Sequence, residues 1–242
     1  MIAIKIENLT KRYNDTVAVD SLNLEIKKGE IFSLLGVNGA GKSTTIKMLC
    51  TLTKPSYGDA FLCTHSIKSD SQGVKSIIAL SPQETAIAHT LTVRENLSFI
   101  CGCHSFDKRE SEEKIKKLAE EFSLTSVLDK KASKLSGGYQ RRLSIAMALI
   151  GEPEILFLDE PTLGLDVIAR SELWDSIRAL KGRVTVILTT HYMEEAEALS
   201  DRIGIMDKGR LIALGTASSL IEKAGTERFE DAFIKIVKEG KL

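Results

Sequence analysis

Gly36-Val37-Asn38-Gly39-Ala40-Gly41-Lys42-Ser43-Thr44 is the stretch that decides how this chain folds. It has the form G-x-x-x-x-G-K-[ST], a phosphate-cradling P-loop. Glycines here let the backbone turn tightly and bring N–H groups close to phosphate oxygens, with no Cβ in the way. Lys42 reaches the β- and γ-phosphates, and the Ser43 hydroxyl is placed to ligate Mg²⁺. N–H groups left unpaired at the start of the next helix add partial positive charge. The flanks fit: Glu30 to Leu35 reads as a buried strand entering the loop, and Thr44 to Leu49 as a helix leaving it.

Further along, Ile155-Leu156-Phe157-Leu158-Asp159-Glu160 is an apolar strand ending in two carboxylates. In parallel α/β sheets the strand C-termini face the ligand crevice. Asp159 can hold Mg²⁺ through its water shell, and Glu160 can polarise an attacking water. Ile77 to Leu80 reads as a strand running into Ser81-Pro82-Gln83. Gln83 either accepts from metal-bound water or is a plain surface residue. Val184 to Thr189 is another buried strand, ending at Thr190-His191, where a histidine either senses a γ-phosphate or is structural. Leu135-Ser136-Gly137-Gly138-Tyr139 precedes a helical stretch from Gln140 to Ile150. Its hydroxyl, free N–H groups and helix dipole make a second anion site, or else Ser136 is an ordinary N-cap. After the rigid loop from Pro161, Asp166 reads as the N-cap of a helix to about Leu180.

The N-terminal segment reads as a small antiparallel sheet. Its strands are Ile2 to Glu7, Thr16 to Val19 and Leu22 to Ile26, with a turn at Asn14-Asp15. Tyr13 beside that turn either stacks on a nucleotide base or covers the sheet edge. Ala60 to Cys63 is a further short strand. From about Thr90 the pattern becomes helical: Thr92 and Glu95 fit a capping box, and Lys108 to Phe122 carries apolar residues at helical spacing. Arg202 to Met206 and Arg210 to Ala213 pair across Asp207-Lys208-Gly209. Near the end, Phe229, Ala232, Phe233, Ile236 and Val237 form an apolar helical stripe. It must pack on its own core, a second copy or a partner.

At 242 residues the chain suits one large or two-lobed domain, and 43% hydrophobic with 27% charged residues allow a real core. The formal net charge is zero, so nothing in it recruits nucleic acid or anionic lipid. The start does not read as a secretory signal, and reduced thiols are expected at its four cysteines. The longest apolar stretch, Leu143 to Ile150, falls short of the roughly 20 residues that span a bilayer. No direct membrane insertion is expected, so any membrane connection comes through a partner.

Taken in order from about Ile2 to Gly215, these elements resemble the nucleotide-binding subunit of ABC transporters. The P-loop, Gln83, the LSGG-type motif Leu135-Ser136-Gly137-Gly138, the Walker B strand with Asp159 and Glu160, the D-loop Leu163-Gly164-Leu165-Asp166 and the switch residue His191 fall in family order. Tyr13 matches the adenine-stacking aromatic. The resemblance implies an α/β fold: a P-loop NTPase core of mostly parallel sheet with flanking helices, a small N-terminal antiparallel β subdomain and an inserted α-helical subdomain. The expected division is an ATPase domain over 1–220, with core and β subdomain drawn from 1–87 and 151–220 and the helical subdomain at about 88–150. A helical tail follows at 221–242.

By the same resemblance, ATP contacts Tyr13, Gly36, Asn38, Gly39, Ala40, Gly41, Lys42, Ser43, Thr44, Gln83, Ser136, Gly137, Gly138 and Asp166. Ser43, Gln83 and Asp159 hold Mg²⁺, and Glu160, His191 and Lys42 are catalytic. A head-to-tail homodimer (or paired ATPase subunit) would enclose two ATP, with Ser136, Gly137 and Gly138 of one subunit capping the γ-phosphate held by Lys42 of the other. A polytopic transmembrane permease would be the partner, engaged near Gln83 and the segment from Thr90 to Phe106. That places the subunit in the cytoplasm, peripheral on the inner face of the membrane. Glu230-Asp231-Ala232-Phe233 looks like the tail motif of exporter ATPases for drugs, antibiotics, sodium or polysaccharides. Two departures stand out: Tyr139 where many relatives have Gln, and a D-loop lacking the usual serine-alanine start. The competing classes are soluble ABC ATPases of DNA repair or translation, and mechanotransmission or importer subunits. Relatives of the soluble class usually carry coiled coils, zinc insertions or two cassettes in one chain.

Overall fold

A computed structural model describes residues 1–240. Lys241 and Leu242, the last residues of the expected tail, lie outside the described residues. Strands β1 (Ile2–Tyr13) and β2 (Thr16–Lys27) form a long hairpin about Asn14-Asp15. Next come β3 (Ile31–Leu35), the P-loop, α1 (Lys42–Leu49), β4 (Tyr57–Leu62), β5 (His65–Ser66), α2 (Ser71–Ile77) and β6 (Ile78–Ser81). Three helices follow, α3 (Val93–Cys103), α4 (Lys108–Glu121) and α5 (Gly137–Leu149). The chain then runs through β7 (Ile155–Asp159), α6 (Val167–Arg178), β8 (Thr185–Thr190), α7 (Met193–Leu199), β9 (Arg202–Asp207) and β10 (Arg210–Gly215). It ends in α8 (Ala217–Ala224) and α9 (Phe229–Glu239).

Two sheets form. One is antiparallel, in the order β2-β1-β4-β5; the other runs β10-β9-β3-β8-β7-β6 and is parallel except for the β9–β10 hairpin. The central strands β3, β7 and β8 are buried along their whole length, as expected when both faces of a parallel sheet are covered. Alternation along β7 shows what covers each face. Ile155 and Phe157 join the core beneath the antiparallel sheet and α1, whereas Leu156 and Leu158 join the core beneath α3 to α6. A mostly parallel sheet with flanking helices, an antiparallel sheet and the inserted helices α3 to α5 make up the α/β architecture that the sequence led us to expect.

Several local details differ from the expectation. The two short strands expected between Thr16 and Ile26 are one strand. Asp20 and Ser21 form a bulge opposite β1, with Ser21 at a φ of 49° and its N–H donating to Thr10 Oγ1 at 3.0 Å. Ile77 ends a helix rather than opening a strand. That helix, α2, is capped by Asp70, whose side chain accepts from Gly73 N, and its one buried residue is Val74. Helix α8 crosses the expected boundary at residue 220, so the tail joins the domain in mid-helix. The capping box on α3 is present: Thr92 Oγ1 accepts from Glu95 N at 3.1 Å, and a Glu95 carboxylate oxygen accepts from Thr92 N at 2.7 Å.

The tail stripe packs on its own core. Phe229, Ala232, Phe233 and Ile236 bury against Leu220 and Ala224 of α8, Ala196 of α7, and Leu35, Ile203 and Ile205 of the sheet. Glu230 and Asp231 occupy the first turn of α9, where carboxylates are stabilised by the helix dipole. Phe229 is 2% exposed, so Phe229→Ala should lower unfolding stability by about 3–5 kcal/mol, through lost burial and the cavity left behind. Denaturant titration measures this, and an unchanged midpoint would show that the tail does not belong to the core.

Candidate active site

The site is built where β3, β6, β7 and β8 end. These strands run parallel and nearly level: Leu35 pairs with Thr190, Asp159 with Thr189, and Ser81 with Leu158. The P-loop, Gln83, the two carboxylates and His191 therefore emerge on one edge. The P-loop turns through Gly41, whose φ is 101°; a Cβ there would lie 2.5 Å from the Ala18 carbonyl oxygen. Helix α1 then starts with no side chain capping it, which leaves its first N–H groups for an incoming anion.

Lys42 is 5% exposed. Its ammonium donates to Gly36 O at 2.8 Å and Val37 O at 3.3 Å, and lies 3.5 Å from Glu160 Oε1. Those three acceptors match the three donors of an ammonium group. On the other side, His191 Nδ1 lies 2.7 Å from Glu160 Oε2. A carboxylate only accepts, so with Glu160 ionised the imidazole N–H donates. Glu160 itself has a φ of 49°, and its N–H is held by the Thr189 carbonyl and hydroxyl, each at 3.1 Å.

Asp159 Oδ1 accepts from Ser43 Oγ at 3.0 Å and from Thr189 Oγ1 at 2.5 Å. The donor set offered to a cation is thus a hydroxyl and a carboxylate, all oxygen, which suits a hard ion such as Mg²⁺ that keeps most of its water. A cleft of about 600 Å³ opens over this group. Tyr13, the loop from Asn38 to Thr44, Gln83, Glu160 and His191 line it, so most of the expected ATP contacts share one cavity.

Gly36, Ser136, Gly137, Gly138 and Asp166 do not line that cleft, and Asp159 meets it only through Ser43. Ser136 is the N-cap residue of α5 but makes no side-chain cap bond. At Gly138 an added Cβ would come within 2.8 Å of Ala169 Cβ, so glycine lets α5 and α6 approach. Asp166 caps α6, accepting from Ala169 N at 2.9 Å. Tyr139 packs under Arg142, whose guanidinium lies 4.3 Å from the ring centre. The following Gln140 donates to Ala132 O and Leu135 O, at 3.3 and 3.2 Å, holding the turn before the motif.

Sequence reasoning missed Thr189, Lys208 and Arg141. Thr189 looks like one more β-branched strand residue; only the pairing of β8 with β7 reveals its two partners. Lys208 reaches the cleft because β9 pairs with β3, bringing the β9–β10 turn beside the P-loop. Arg141 is 4% exposed and donates to backbone oxygens of Pro82, Gln83, Asp159 and Pro161. Burial pushes its guanidinium down to about 10, against nearby carboxylates led by Glu195 that hold it up.

Comparison with known proteins agrees with this geometry. The ABC transporter family model matches residues 19–163. The chain is 42% identical over 229 residues to a daunorubicin resistance ATP-binding protein of Streptomyces coeruleorubidus, covering 94% of this chain and 72% of that one. It is 40% identical over 243 residues to a probable multidrug ABC transporter ATP-binding protein of Escherichia coli, covering 98% of this chain but only 42% of that longer protein. Identity to a Nod factor export ATP-binding protein of Burkholderia pseudomallei is 41% over 220 residues, covering 90% of this chain and 72% of that one. Among solved structures, an ATP-binding subunit of an ABC transporter superposes with a TM-score of 0.85 at 26% identity, covering 97% and 99% of the two chains. A dimeric ATP-binding cassette in a post-hydrolysis state, bound to ADP and Pi, gives 0.78 at 26% identity, covering 88% and 98%. With its P-loop, carboxylate pair and histidine gathered on one edge of this sheet, the chain belongs to the ABC transporter family, as an ATP-binding subunit that hydrolyses ATP to drive transport.

Proposed function

We propose that this subunit closes as a head-to-tail homodimer around two ATP molecules and drives a separate polytopic transmembrane permease in the direction of export. One observation carries the dimer: Lys42, Ser43, Glu160 and His191 line one cleft, with Asp159 bonded to Ser43 beside it, while Ser136-Gly137-Gly138 stands outside it. A second anion-binding turn with no anion within its own chain's reach suits the ATP of another copy. Val37, Leu163, Val167 and Ile168 are 47%, 41%, 77% and 74% exposed around this face. A second copy is the occupant that would cover them, in keeping with the similar cassette solved as a dimer. Export is supported by the daunorubicin resistance and Nod factor export relatives and by the Glu230–Phe233 tail. No helix among the described residues is long and apolar enough to cross a membrane. Attachment to the inner face of the membrane would therefore run through the permease, which also forms the cargo's path.

In this reading Tyr13 stacks on the base, and the N–H groups of the P-loop and of the first turn of α1 receive phosphate oxygens. Phosphate oxygens compete with Gly36 O, Val37 O and Glu160 for the Lys42 ammonium. Mg²⁺ held by Ser43 and Asp159, with Gln83 nearby, would neutralise charge on the β- and γ-phosphates. Thr189 keeps Asp159 aimed at that position. Glu160 takes the proton from the attacking water, a contribution of about 10²–10⁴-fold for general bases. His191 holds the Glu160 carboxylate through Oε2. Each ATP touches both subunits, so ATP stabilises the closed dimer by mass action.

Glu160→Gln should give a stable dimer with ATP and Mg²⁺ and a turnover lower by about 10²-fold or more, because the phosphate contacts remain while the base is lost. Size-exclusion chromatography that finds only monomer would count against a composite site. Lys42→Ala should weaken ATP binding by about tenfold or more, as expected when a charge-assisted contact to phosphate is lost; equal affinity by fluorescence titration would remove its assigned role. Purified from its host membranes, the chain should carry a polytopic membrane protein, crosslinked through α3 near Phe99, which is 63% exposed. Recovery of ribosomes or DNA instead would replace this reading with a soluble one.

A further inference from the structure

Arg141 lies one turn into α5, three residues after Gly138. Its side chain does not face those residues. Nε donates to Pro161 O at 2.8 Å, one terminal nitrogen to Pro82 O at 2.5 Å and Gln83 O at 3.2 Å, and the other to Asp159 O at 2.7 Å. One buried fork therefore grips the loop carrying Gln83 and both flanks of Glu160. All its acceptors are backbone carbonyls, so it follows where those loops go rather than where a flexible side chain swings. A second link runs in parallel, with Ser144 Oγ and Ser81 Oγ 3.0 Å apart. The neighbouring Arg142 points elsewhere, to Glu172 at 3.1 Å. Ser136 and its glycines thus stand on a helix whose first turns are fastened to their own chain's nucleotide loops.

We propose that Arg141 is a positioning residue that couples the two ATP sites: it passes the state of its own chain's Gln83 and Asp159–Pro161 loops to the Ser136–Gly138 turn that closes the other chain's ATP. This rests on the composite-site reading above. If the loops shift on nucleotide binding and α5 stays, a buried guanidinium loses its acceptors. The helix follows instead, and coupling between sites is reciprocal. A lysine cannot replace the fork, because its compact ammonium does not span the four carbonyls of Pro82, Gln83, Asp159 and Pro161.

The first test needs no variant. Hydrogen exchange is followed on the dilute wild-type monomer with and without ADP. Binding in the P-loop should change protection in residues 136–142, although these residues do not line the cleft; unchanged protection there overturns the proposal. The second test compares wild type, Arg141→Lys and Arg141→Met. ATP hydrolysis should rise cooperatively in wild type. In the variants the Hill coefficient should fall towards one and kcat should drop about 2- to 30-fold, with monomer ADP affinity unchanged. A folded Arg141→Lys that keeps the wild-type Hill coefficient overturns the proposal; if both variants fail to fold, the wild-type exchange result decides. Failure of Glu160→Gln to dimerise would instead remove the composite site itself. A Glu160→Gln dimer with unmoved exchange in 136–142 removes the Arg141 inference alone.

Discussion

The level ending of three parallel strands governs the nucleotide face. Leu35, Asp159 and Thr190 close β3, β7 and β8, with Leu35 paired to Thr190 and Asp159 to Thr189. Side chains on a strand alternate, so a slip of one residue would turn Asp159 into the core and bring Leu158 to the mouth. Apolar packing on both faces forbids that slip. Ile155 and Phe157 fill the core on one side of the sheet, and Leu156 and Leu158 the core on the other. Register is thus fixed by hydrophobic burial; it brings the Thr189 hydroxyl to Asp159 and sets beside it the end of β3, from which the P-loop carries Ser43.

Charge is then confined where it is expensive. Lys42 and Glu160 are 5% and 7% exposed, and an isolated buried charge is strongly unfavourable. Each is held by partners: the ammonium by two P-loop carbonyls and Glu160, the carboxylate by Lys42 and His191. The left-handed backbone at Glu160 costs on the order of 1–3 kcal/mol for a non-glycine residue. That turn lets the side chain leave the strand line and face the cleft. In the proposed mechanism nucleotide entry would accordingly exchange acceptors around Lys42 rather than create a new charge site, and would free Glu160 from the lysine while His191 keeps its contact.

Much of the fold could be read from the chain because its signals are local. Buried strands are unbroken apolar runs, the α3 capping box is Thr92 and Glu95 three apart, and the P-loop is contiguous. What escaped was non-local or weakly patterned. Gly73 obscures α2, and Asp20-Ser21 looks like a break because a bulge and a turn use the same residue types. At the site, Lys42, Asp159 and Glu160 were readable from their own neighbours. Gln83, His191 and Tyr13 were ambiguous until motif order supplied the context. Thr189 and Lys208 depend on which strand lies beside which, and no short stretch of sequence carries that information.

Arg141 and Arg142 show the limit most sharply, because adjacent identical residues have opposite duties. Helical geometry separates neighbouring side chains by about 100°, so only one can face the strand ends. Which one does so depends on how α5 sits, and Gly138 sets that seat. With no Cβ between them, α5 and α6 meet at Ala169, 2.8 Å from where a Gly138 Cβ would be. That approach brings Arg142 to Glu172 of α6 and leaves Arg141 the inward direction, towards Pro82, Asp159 and Pro161. The glycine pair of the motif therefore has two physical consequences. Its backbone would be open to the anion that the composite site requires, and its lack of side chain seats the helix that ties this turn to the loops carrying Gln83 and Glu160.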